Sequence, residues 1–150
     1  MKYKVLIREY KDSDKDEVVN LLRLNTPTYF KVEEEKDLVY YLENEIEKYY
    51  VMEEGHQIIG CGGINLEDDK TRGIISWGIM HPKFQKKRLG TLLLKYRISV
   101  LNSINTVNKI TVRTTQLTYE FYQKMGFRLI EVKKDYWAEG FDLYKMELKK

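Results

Sequence analysis

The sequence predicts an α/β (mixed α+β) domain: a twisted mixed sheet of about six to seven strands with about four helices on its two faces. Two observations carry that reading. Apolar residues recur at helical spacing in four segments and follow strand patterns between them, giving the order β, α, α, β, β, β, α, β, α, β, β. Three consecutive strands in the middle and a pair at the end have connections too short for parallel neighbours, which excludes an all-parallel doubly wound sheet. The length of 150 residues suits one core. Two prolines, nine glycines and no low-complexity tract leave no linker, so 1–150 is expected to be a single domain.

The first strand is Tyr3 to Glu9 (YKVLIRE). Asp12-Ser13-Asp14 with Glu17 three residues after Asp14 marks a helix start. Val18, Leu21 and Leu22 give that helix an apolar stripe, and Asn25-Thr26-Pro27 ends it. A second helix, Glu34 to Lys48, repeats the pattern with Leu38, Tyr41, Leu42 and Ile46. The period then changes: YYVMEE, a turn at Gly55, QIIGCGGINL, the polar EDDKTR and GIISWGIM read as three strands. Leu89, Leu92, Leu93, Tyr96 and Val100 return to helical spacing. Lys109 to Thr114 (KITVRT) is a strand, and Leu117 to Met125 a short helix stopped by Gly126. FRLIEVKK and FDLYKMEL close the chain as two strands around a loop, DYWAEG.

The N-terminus lacks the apolar run of a signal peptide, and no segment approaches the ~20 apolar residues that cross a bilayer, so a cytoplasmic protein without a membrane partner is expected. A single cysteine, Cys61, has neither a disulfide partner nor metal-ligand spacing around it, so no metal is expected. The net charge of +3 gives no basic stripe, so no nucleic-acid partner is expected.

The positive charge has one local focus. In HPKFQKKRLGTLLL, Lys83, Lys86, Lys87 and Arg88 surround the start of the third helix, whose first backbone amides lack intrahelical partners and attract anions. Gly90 permits close backbone approach. A solvated basic turn and a phosphate-binding turn both fit this cluster taken alone. Upstream, Gly78 inside IISWGIM is poor strand chemistry and marks a bulge or a close approach by another backbone or a ligand.

These residues resemble the acyl-CoA-binding segment of the GNAT superfamily of N-acetyltransferases. Its pattern is Gln or Arg, two residues, Gly, one residue, then Gly or Ala. Gln85 and Gly90 fall on the first and last positions, His81-Pro82 stands just before, and Arg88 occupies the place of the first glycine. Downstream, FYQKMGF (Phe121 to Phe127) is similar to the family's second segment, a Tyr followed four residues later by Gly-Phe. The resemblance covers essentially the whole chain and implies a GNAT-like acyl-CoA N-acyltransferase fold and acetyl-CoA as co-substrate.

The resemblance implies that Gln85, Lys86, Lys87, Arg88, Leu89, Gly90 and Thr91 cradle the CoA diphosphate. It also implies that Thr115, where many members have Asn, contacts the cofactor and that Tyr122 protonates the departing thiolate. The amide near Ile79 on the bulged strand is the natural donor to the thioester oxygen, with Met80 and His81 flanking the cofactor through backbone groups.

Acetyl transfer needs a neutral amine, and an alkylamine near pKa ~10.4 is neutral in roughly one molecule in 2,500 at pH 7. In many relatives a strand glutamate assists, but GIISWGIM contains no carboxylate. Glu67, Asp68, Asp69, Glu33, Glu34, Glu35 and Glu139 read more simply as solvated charges, and Cys61 in apolar GCGGI as a core residue. The expected function is N-acetylation of a primary amine on a small molecule or peptide; the alternative is a CoA-binding sensor or regulatory module that has lost catalysis. Monomer and homodimer both remain open.

Overall fold

The computed structural model describes residues 4–85 and 88–149. Seven strands lie in the order β1-β2-β3-β4-β5-β7-β6, and four α-helices connect them. The chain divides into two compact units, Met1–Asn65 with Trp77–Arg97 and Leu66–Ser76 with Ile98–Lys150.

In the first unit, β1 (Val5–Glu9) pairs antiparallel with β2 (Lys48–Glu54), and β2 pairs antiparallel with β3 (Gln57–Glu67). A 3-10 turn at Asp12–Asp14 leads into α1 (Lys15–Leu24). Its start is fixed by Asp14, which is 5% exposed: its carboxylate accepts the Lys11 amide at 2.8 Å and both terminal nitrogens of Arg8, at 2.8 and 3.0 Å. Glu17, the other half of the expected start signal, instead accepts the Ile58 amide at 3.3 Å. The second helix, α2 (Glu34–Asn44), stops short of the expected Lys48 because the chain already enters β2 there.

The helices cover both faces of β2 and β3. Val18, Leu21, Leu22, Leu38 and Leu42 of α1 and α2 pack with Tyr49, Val51 and Cys61 on one face. Successive strand residues point to opposite faces. Tyr50 therefore faces the other way, where its ring meets Tyr96 of α3 (Leu89–Asn102) at 5.0 Å.

In the second unit, the first residues of β4 (Arg72–Met80) pair in parallel with β5 (Lys109–Thr114), from Arg72↔Lys109 to Ile75↔Val112. This is the register a helical crossover allows. After α4 (Tyr119–Lys124), β6 (Arg128–Ala138) and β7 (Phe141–Lys149) form an antiparallel pair, with β7 next to β5.

The expected loop DYWAEG is mostly strand. Its irregularity is absorbed by a register shift between Lys133 and Ala138 and by Asp135 at φ 53°. The Asp135 amide donates to Asp142 at 2.9 Å, and its carboxylate accepts the Gly140 amide at 2.8 Å. At the end of the strand order, β6 leaves Leu129, Ile130, Val132 and Tyr136 exposed, with Lys133 and Lys134 among them.

Candidate functional site

The end of β4 is irregular by design of its sequence. Trp77 has φ 41°, a left-handed conformation unusual for a bulky residue. Its carbonyl is turned toward the helical layer, where it accepts the Tyr49 hydroxyl at 2.8 Å. The irregularity expected at Gly78 appears as the positive φ of Trp77 one residue earlier, and Gly78 itself is exposed. Ile79 returns to the core, packed with Cys61 and Val51.

Beyond Trp77 and Gly78 the chain is tied to the end of α1. Asn25 is 3% exposed, and its amide nitrogen donates to Leu21 O at 2.8 Å and Met80 O at 3.1 Å. Its side-chain oxygen accepts Gln85 Nε2 at 3.0 Å, and the same Gln85 nitrogen reaches Met80 O at 3.3 Å. The Gln85 side chain and the Met80 carbonyl therefore serve the turn itself. Sequence reasoning read Asn25 only as a helix stop; nothing in its neighbours along the chain announces a partner 60 residues away.

His81 is equally local in its work. Its amide donates to Ile59 O at 2.8 Å. Its Nδ1 accepts the Lys83 amide at 3.1 Å, capping the 3-10 turn Pro82–Phe84. Burial, together with nearby Lys83, pushes the imidazole pKa down, so the neutral ring that can accept this bond is favoured.

The helix start follows. Arg88 is exposed at φ 62°, the region that favours glycine, and its carbonyl accepts the Leu92 amide at 3.1 Å. The family position that Arg88 fills is therefore one where the backbone asks for glycine. The amides of Leu89, Gly90 and Thr91 occupy the first turn of a 14-residue helix, where no intrahelical acceptor exists. Leu89 is buried and anchors the turn. Lys86 and Lys87 lie outside the described residues.

Ile79, Met80, His81 and Gln85 thus lie at the end of β4 and around the turn after it, and Arg88, Leu89, Gly90 and Thr91 at the start of α3. Thr115 and Tyr122 belong to the second unit, Thr115 just before its short helix and Tyr122 within it. Thr115 Oγ1 accepts the Leu117 amide at 3.1 Å, and its carbonyl accepts the amides of Thr118 and Tyr119. Tyr122 is half-buried, with its ring edge-on to Phe121 and to Phe127 at 5.1 and 5.6 Å. Gly126 at φ 99° turns the chain so that the Phe127 amide reaches Tyr122 O at 3.1 Å, while the Phe127 ring is buried. FYQKMGF is, in physical terms, a helix C-cap with its hydrophobic anchor.

Most of the carboxylates considered as bases have structural work. Glu35 makes a two-point contact with Arg23 at 2.8 and 2.9 Å, and Glu34 accepts the Lys31 amide at 2.9 Å. Glu67 and Asp68 both face Arg72. Burial raises the Cys61 thiol to about 11, which fits a core residue. Among the described residues there is no cluster of three metal-ligating side chains and no helix long and apolar enough to cross a membrane.

Comparison with known structures finds the same fold in proteins of low identity. Ard1 from Thermoplasma volcanium is 16% identical with a TM-score of 0.81, covering 97% of each chain. The ribosomal-protein-S18-alanine N-acetyltransferase from Escherichia coli is 14% identical with a TM-score of 0.80, covering 97% of this chain and 94% of that one. An aminoglycoside 6'-N-acetyltransferase complexed with coenzyme A is 17% identical with a TM-score of 0.78, covering 96% of each. A search of the curated proteins finds no match. The model of the acetyltransferase (GNAT) domain matches residues 45–129, from the start of the central meander through Tyr122 and Gly126 into β6. That match spans more than half of the sequence, and the chain belongs to the GNAT family of acetyltransferases.

Proposed function

We propose that this chain transfers an acetyl group from acetyl-CoA to a primary amine by direct attack in a ternary complex. The observation that carries the reading is the helix start at Leu89, Gly90 and Thr91. It presents three amides without intrahelical partners, next to the Arg88 and Lys83 cations, on a turn locked by Asn25 and Gln85. Family membership and the coenzyme A in a structural neighbour support it.

In this reading the amides of Gln85 to Thr91, with Lys86, Lys87 and Arg88, hold the diphosphate, and Thr115 donates its hydroxyl to the cofactor. The backbone at Met80 and His81 flanks the pantetheine, although the Met80 carbonyl is already engaged. The amine nitrogen attacks the thioester carbon, whose oxygen becomes negative against the Ile79 amide. The carbon–sulfur bond then breaks, the thiolate takes the Tyr122 proton, and the amine proton leaves to water. Products are an N-acetyl amide and free CoA. The acceptor is an amine of a small molecule or peptide, and the reaction belongs to the cytoplasm and needs no metal.

A second reading, a CoA-binding module without turnover, draws on one observation: β4 (RGIISWGIM) has no carboxylate to assist deprotonation of the amine. A thiol-release assay with acetyl-CoA against a panel of amines, paired with a thermal-shift titration of CoA, separates the two. Turnover with one amine supports the enzyme; a thermal shift with no thiol release supports the module; neither response sinks both. Tyr122→Phe is expected to lower kcat more than it weakens acetyl-CoA binding, and equal activity removes Tyr122 from the acid role.

A further inference from the structure

Arg97 of α3 is 3% exposed, and its guanidinium lies where two glycines make room for it. A Cβ at Gly62 would stand 2.7 Å from its Cζ, and a Cβ at Gly78 would stand 3.0 Å from its Nη2. Nη1 donates to the Gly63 carbonyl at 3.4 Å. On the next residue of the same strand, a Cβ at Gly63 would meet the Tyr49 ring at 2.5 Å. Because neighbouring strand residues point to opposite faces, Tyr49 and Arg97 flank β3 from opposite sides.

The Trp77–Gly78 peptide sits between these groups. Tyr49 binds the Trp77 carbonyl, and in a trans peptide the N–H points opposite to the C=O, so the Gly78 amide faces away from Tyr49. Burial raises the Tyr49 phenol well above its ordinary value and the Cys61 thiol to about 11, so both are neutral at pH 7 and neither cancels the Arg97 charge. Burying a guanidinium is costly, and an apolar residue would continue the row of Leu89 and Leu93 with no charge to desolvate.

We propose that Arg97 is a positioning residue for acyl transfer: it fills the space that Gly62 and Gly78 leave open and sets a permanent positive charge beside the Trp77–Gly78 peptide. This rests on the acetyltransferase reading. As the amine attacks, the carbonyl electron pair moves onto oxygen, then returns as the thiolate is expelled. Arg97 keeps its protons throughout and touches neither substrate. Its charge favours the state in which oxygen or sulfur is negative, so its loss is read in kcat and hardly in the KM for acetyl-CoA.

The test uses the full chain with acetyl-CoA and the best amine of the panel, comparing Arg97→Met, Arg97→Lys and Gly78→Ala for kcat, KM and melting temperature. Arg97→Met is expected to lower kcat about tenfold or more with KM within about threefold, and to keep or raise the melting temperature. Arg97→Lys, which keeps the charge, retains most of kcat. Gly78→Ala, whose Cβ displaces Nη2, loses kcat about threefold or more.

Wild-type kcat in Arg97→Met, or equal losses of kcat and stability in the Met and Lys variants, overturns the role. If Arg97→Met does not fold, wild-type kcat in Gly78→Ala overturns it. A wild type that releases no thiol with any amine overturns the acetyltransferase reading, and the Arg97 role with it.

Discussion

Replacing Arg88 by glycine should stabilise the protein. Arg88 holds φ 62° on an exposed turn, and its backbone opens α3 by accepting the Leu92 amide. An L-residue in the left-handed region costs about 1–2 kcal/mol, while glycine returns about 0.5–1 kcal/mol through the greater freedom of its unfolded chain. The balance is a gain of about 0.5–1 kcal/mol. At about 2–4 °C per kcal/mol for a domain of this size, the melting temperature rises by about 1–4 °C.

The control is Arg88→Ala, which also removes the cation from a helix N-terminus but keeps the Cβ. The difference between the glycine and alanine variants isolates the backbone, and Arg88→Asn should fall between them because asparagine tolerates this conformation. Thermal melts and urea midpoints measure all three. If alanine raises the melting temperature as much as glycine does, the gain comes from charge and the strain argument fails. If glycine lowers it, the side chain carries stability that the exposed position does not suggest.

Asp14→Asn should cost about 2 kcal/mol at pH 7, since it breaks a charge-assisted pair with Arg8. Arg8 holds the Asp14 carboxyl below its ordinary value, so the contribution is complete above about pH 5 and is lost as pH falls through the folded-state pKa, below about 4. Melts from pH 7 to pH 3 should show the gap between wild type and variant closing in acid; a gap constant with pH would remove Asp14 ionisation from the account. Asn25→Ala should cost about 1–3 kcal/mol, because it removes the buried donor to Leu21 O and Met80 O and leaves Gln85 Nε2 with only its longer bond to Met80 O. A urea midpoint equal to wild type would mean the turn after β4 holds without Asn25.

The elements themselves were legible because their causes are local. Alternating β-branched and aromatic residues made β1, β2 and β3 readable, and the i, i+3, i+4 stripe of Val18, Leu21 and Leu22 made α1 readable. Gly78 signalled irregularity in β4, although the positive φ falls on its neighbour Trp77. What escaped is long-range. Asn25 meets Gln85 and Met80 only after the chain returns, and Tyr49 meets the Trp77 carbonyl across 28 residues. Arg97 left a trace that could have been followed: it stands four residues after Leu93 and four before Leu101, on a row otherwise apolar. Helical spacing alone cannot tell a charge that snorkels outward from one that fills space beneath two glycines.

The exposed β6 has a bearing on handling the purified material. A strand that ends its sheet offers unpaired backbone to any similar strand, and Leu129, Ile130 and Val132 add apolar surface to that invitation. Arg128, Lys133 and Lys134 are the gatekeepers, and they work by colloidal repulsion between molecules of like charge. With an isoelectric point near 8.8, that repulsion vanishes in mildly alkaline buffers and weakens in concentrated salt. Storage around neutral pH at modest ionic strength keeps the molecules apart.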